Sequence, residues 1–99
     1  MSLRKPKESN LTKTILKYLR GLDGCFAWKA HGGRFGTAGI PDVICCYRGR
    51  FFAFEVKVPG NKPTEIQQAT IDRLKQAGAR VFVVNSVKDV RRIMEGEVA

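Results

Sequence analysis

A chain of 99 residues, 43% of them apolar, is long enough to bury one compact core and too short for two domains. Lys and Arg number 18 against 9 Asp and Glu, and the resulting net charge of +9 suits a polyanionic partner, either nucleic acid or an acidic membrane surface. No apolar run approaches the roughly 20 residues of a membrane span, and MSLRKPKESN is not followed by the apolar segment of a secretory signal, so a cytoplasmic protein is expected.

Residues 1–5 read as a mobile basic tail. Leu11, Ile15, Leu19 and Leu22 recur at helical spacing, widened by Leu16 and Tyr18, and predict a helix from about Pro6 to Arg20 that stops near Gly21 and Gly24. CFAWKA reads as a short strand with Trp28 in the core, and HGGRFGTAG as a glycine-rich loop. Two strands follow, IPDVICCY and RFFAFEVKV, separated by Arg48-Gly49. After the PGNKP loop, a helix is expected from about Thr64 to Ala77, closed by Gly78. RVFVVN reads as a buried strand, and Ser86 as the cap of a last helix that carries Val87, Val90 and Met94 on one side. The order α-β-β-β-α-β-α predicts an α/β fold with a mixed sheet flanked by helices. Cys25, Cys45 and Cys46 are odd in number and lack a CxxC spacing, so they are expected to pack as small apolar residues.

The strand RFFAFEVKV carries two charges in an otherwise core-like run, Glu55 and Lys57. If Arg48-Gly49 is a two-residue hairpin turn, Tyr47 pairs with Arg50 and Asp42 falls opposite Glu55. Alternation then places Asp42, Ile44, Cys46, Phe51, Ala53, Glu55 and Lys57 on one face, and Val43, Cys45, Phe52, Phe54 and Val56 on the other. Both faces are largely apolar, so both should be covered. Like charges directly opposite each other are destabilising, but a hard divalent cation between them reverses that sign. The two carboxylates, the Val56 carbonyl and waters would form a plausible shell, with Lys57 beside it to hold a water or neutralise phosphate charge. The competing reading is structural: a Glu55–Lys57 ion pair at a sheet end, with Asp42 serving a turn after Pro41.

GIPD, followed thirteen positions after its Asp by EVK, resembles the PD-(D/E)xK nuclease superfamily. The wider string, from WKAHGGRFGTAGIPDVICCY to AGARVFVV, is similar to the VRR-NUC (virus-type replication-repair nuclease) family, in particular its short stand-alone phage and bacterial members. The resemblance implies a restriction-endonuclease-like core and Mg²⁺- or Mn²⁺-dependent cleavage of DNA. It implies Asp42 and Glu55 as metal ligands and Lys57 as the catalytic lysine. It also implies an acidic residue on the first helix, where Glu8 is the candidate for catalysis and metal binding, and a Gln on the helix after the lysine strand, where Gln67 fits best. Glu8 equally suits a first turn as a partner of the helix dipole. Thr64-x-x-Gln67 equally reads as a capping box. His31 lies in the glycine-rich loop, as a polar contact or phosphate neighbour before a general base, and Lys29 and Arg34 flank that loop as candidate contacts to the DNA backbone, or as ordinary surface charge. Phe35 and Trp28 carry rings that could stack on unpaired bases, but for Trp28, in a strand, the core is the favoured place.

The expected function is that of a Mg²⁺-dependent endonuclease on branched DNA, resembling Holliday junction resolvases and acting as a homodimer. A flap or nicking nuclease is the nearest alternative. A DNA-binding module without catalysis is the alternative of another class, and the presence of Asp42, Glu55 and Lys57 together speaks against it.

Overall fold

The computed structural model describes residues 8–31 and 36–98. The expected basic tail and the start of the first helix at Pro6 therefore lie outside the described residues. The elements run α1 (Glu8–Arg20), β1 (Cys25–Lys29), β2 (Val43–Tyr47), β3 (Arg50–Val56), α2 (Glu65–Gln76), β4 (Arg80–Val84) and α3 (Val87–Val98). This is the predicted α/β order.

The four strands form one sheet in the order β1-β2-β3-β4. The first three are antiparallel neighbours, and β4 returns through α2 to lie parallel to β3. The β2–β3 register is the one the hairpin demands, with Tyr47 opposite Arg50 and Val43 opposite Phe54. Arg48 (φ 53°) and Gly49 (φ 83°) both occupy the left-handed region, as a type I′ turn requires.

Alternation along the strands builds two apolar layers. Val43, Cys45, Phe52, Phe54 and Val56 meet Ile15 and Leu19 of α1 and Val90 and Met94 of α3. Ile44, Ala53 and Val81 meet Ile71 on the opposite face, with Leu74 packed alongside. Local chemistry starts the last two helices. The Thr64 hydroxyl accepts from the Gln67 N–H, and the Gln67 side chain accepts from the Thr64 N–H. The Ser86 hydroxyl accepts from the Asp89 N–H.

Three expectations need correction, and one cause covers them. Trp28 is not core: it is 40% exposed, and Phe26 beside it is 72% exposed. Cys46 is also exposed, whereas Cys45 is buried. On β4, Val83 is 45% exposed, because β4 is an edge strand. All four side chains project on the α2 side of the sheet. A helix is about 10–12 Å wide with its side chains, whereas four strands at about 4.8 Å spacing span roughly 19 Å. Two helices cover the other face; α2 alone cannot cover this one.

The loop before β2 is held against α2. The Thr70 hydroxyl donates to the Ala38 carbonyl at 2.9 Å. Gly39 has φ +76°, and a Cβ there would lie 2.6 Å from the Ile66 carbonyl oxygen. Gly39→Ala should therefore cost more than the about 1 kcal/mol expected for a left-handed residue alone. Gly49→Ala is the internal control, since φ there is +83° and nothing lies within 4 Å of the added Cβ. Equal unfolding free energies for the two variants would contradict the close approach.

Candidate active site

Asp42 precedes β2 and Glu55 lies near the end of β3, so the hairpin register brings them together. Pro41, itself buried, leads into Asp42. Asp42 is tied down twice. Its carbonyl accepts from the Ala30 N–H at 2.9 Å, and its Oδ2 accepts from the Val56 N–H at 2.8 Å. The second bond uses the main chain next to Glu55 and locks one carboxylate against the other strand.

Glu55 is 1% exposed. Its Oε2 lies 3.7 Å from the Lys57 Nζ, an ion pair too long for a direct hydrogen bond. Its Oε1 is buried without a hydrogen-bond partner among the described residues. Lys57 keeps strand register because its N–H donates to the Val84 carbonyl at 2.9 Å, so its side chain leaves the same face as Glu55.

Burial pushes the Glu55 carboxyl up to about 8 from its ordinary 4.5. The charge of Asp42 and hydrogen bonding with its side chain add to the rise, Lys57 opposes it, and the charge of Glu8 adds a little. An unpaired, buried carboxylate oxygen beside a second carboxylate is an unfavourable arrangement by itself. The donors are oxygens, which fits a hard divalent cation between Asp42 and Glu55.

The sequence matches no family model and no curated protein. Solved structures do match. One described as "VRR_NUC domain" superposes with a TM-score of 0.74 at 32% identity, over 89% of this chain and 94% of that one. The chain belongs to the VRR_NUC family of nuclease domains. A second structure, "VRR_NUC domain protein", has a TM-score of 0.76 at 17% identity over 93% of this chain and 88% of that one, and shares the fold.

The remaining candidates of this VRR_NUC domain are scattered. Glu8 is the first residue of α1 and half-buried. Its charge reaches Glu55, but no three His, Cys, Asp or Glu side chains converge as a metal cluster among the described residues. Gln67 is half-buried, and its Oε1 is engaged in the α2 capping box. Lys29 is exposed and shares strand parity with Ala27, which puts it on the α1 side, opposite to Glu55. His31 is exposed, one residue beyond the Ala30–Asp42 bond. Arg34 and Phe35 lie outside the described residues. Sequence reasoning enlisted Val56 for its carbonyl and missed that its N–H anchors Asp42; the register alone carried that signal.

Proposed function

We propose that this VRR_NUC domain is a divalent-metal-dependent DNA endonuclease, with Asp42 and Glu55 as cation ligands and Lys57 as its catalytic lysine. The observation that carries this reading is the buried Glu55 carboxylate, whose Oε1 has no partner among the described residues and which neighbours both Asp42 and Lys57. Mg²⁺ or Mn²⁺ bound there would supply Lewis-acid polarisation of the phosphodiester and acidify a coordinated water. Asp42, fixed by the Val56 N–H, presents its carboxylate without further reorganisation. The Val56 carbonyl is the proposed backbone ligand, and Glu8 adds negative charge that strengthens the hold on a cation. Lys57 is the group that handles the phosphate. Its side chain is 12% exposed, so its charge is weakly screened. It can orient the attacking water and balance charge growing on the phosphoryl oxygens as the P–O bond to the leaving group breaks.

Gln67 borders the α2 start and is proposed to combine capping with a contact to substrate. Lys29, His31 and Arg34 are proposed contacts to the DNA backbone. The excess of positive charge supports sequence-independent affinity that falls with salt. The family resemblance supports branched DNA as the substrate and a homodimer as the acting form, in which two sites at fixed spacing would cut two strands.

Purified protein incubated with a four-way junction, a flap, blunt duplex and RNA tests this reading, each with Mg²⁺, Mn²⁺ or EDTA. The expected result is DNA cleavage in either metal, none in EDTA, and fastest cutting of the junction by a species of dimer mass in light scattering. Binding without metal-dependent cutting of any DNA would instead identify a binding module.

A further inference from the structure

The half of the sheet that α2 leaves bare lies on the same face as Glu55 and Lys57. Phe26, Cys46 and Phe51 stand opposite one another across β1, β2 and β3, and Trp28 stands in the next row with Ile44 and Ala53. Phe26 is 72% exposed, Trp28 40% and Phe51 42%. The Phe26 and Trp28 rings are neighbours, with centroids 5.8 Å apart at 48°. At about 3.4 Å per residue, the Trp28 row lies about 7 Å from the Glu55 row along the strands, and the Phe26 row about 14 Å.

We propose that this bare half-sheet is a stacking platform for unpaired bases of a DNA strand whose backbone continues into the Asp42–Glu55–Lys57 site. The proposal takes its ligand from the DNA-nuclease reading. Exposed aromatic clusters of this kind mark interaction surfaces, and the surroundings select the partner. A groove on one flank of α2 is walled by Ile66, Thr70 and Arg73 and by the Thr37–Ile40 loop that leads into β2. That flank of α2 faces the β1 half, because Lys75 lines the opposite flank above β4. No carboxylate lines the groove among the described residues, whereas Arg73 does. A chain of net charge +9 attracts a polyanion. Aromatic rings beside cations on an open sheet face are the features that hold single strands without reading their sequence.

Trp28 is the sole tryptophan, so it reports on its own site. The experiment is a titration in EDTA, which prevents cutting, of single-stranded oligothymidylate and of a blunt duplex of equal length. Fluorescence and an independent binding signal, the anisotropy of labelled DNA, are followed together. The expected result is quenching of Trp28 by the single strand and little by the duplex. Phe26→Ala and Phe51→Ala should weaken single-strand binding about ten-fold and leave duplex affinity unchanged. Both side chains are exposed, so unaltered thermal melts are expected and would show intact folding. Single-strand binding with a silent Trp28, or undiminished affinity in both variants, overturns the platform. A wild-type dimer that Phe26→Ala turns into a monomer would assign the face to a second copy and also overturns it. Quenching as predicted with no cleavage of any DNA would sink the nuclease reading alone; cleavage with a silent Trp28 would sink the platform alone.

Discussion

Glu55→Gln is expected to abolish metal-dependent cleavage and, at the same time, to stabilise the metal-free protein at alkaline pH. The two effects have one cause. Glu55 is 1% exposed, faces Asp42, and titrates near 8 in the folded chain against 4.5 ordinarily. Between those values the folded state keeps a proton that the unfolded state has lost. Its stability therefore falls as pH rises through that window, and the cost is complete only above about pH 8. An amide removes the titration and can donate to Asp42. In EDTA, the variant should gain up to roughly 5 kcal/mol over wild type at alkaline pH and little below pH 4.5. Cleavage should drop at least about 10³-fold, since one cation ligand is gone. Denaturant unfolding in EDTA on both sides of the window checks the first part, and a single-turnover assay the second. A variant less stable at every pH would mean that Glu55 serves the fold and not an ion.

Lys57→Met carries the second large effect. Methionine keeps much of the side chain's apolar packing and removes its charge. Lys57 lies 3.7 Å from Glu55, where its charge favours the ionised carboxylate, so it takes part in charge balance at the site. A lysine that acts on the transition state should lower kcat about 10²–10³-fold when removed. It should leave Mn²⁺ affinity within about ten-fold, because the two carboxylates remain. Kinetics at saturating metal, together with a metal titration, separate these quantities. Parallel loss of cleavage and metal binding would make Lys57 a structural counter-ion only.

The central hairpin was legible because its chemistry is local. Arg48-Gly49 fixes the turn, the turn fixes the register, and the register sets Asp42 against Glu55. The caps of α2 and α3 were legible for the same reason, since Thr64, Gln67 and Ser86 act within one turn. The exposure of Trp28, Phe26 and Cys46 was not legible. Strand alternation assigns a side chain to a face, but only tertiary packing decides whether a single helix reaches across it. Gln67 illustrates the overlap of the two levels: its capping role is plain in the structure, and its inward position suits substrate as well. Gly39 gains its meaning only in three dimensions, where the Ile66 carbonyl occupies the space a side chain would need.

Calorimetric titration of the EDTA-treated, desalted protein with Mn²⁺ at pH 7, in two buffers of different ionisation enthalpy, tests the central claim most directly. Glu55 titrates near 8, so ion binding between Asp42 and Glu55 must expel most of one proton at that pH. The account predicts Mn²⁺ binding with release of close to one proton, and loss of that binding in both Asp42→Asn and Glu55→Gln. Absence of binding, or Mn²⁺ binding that survives both substitutions, would contradict it.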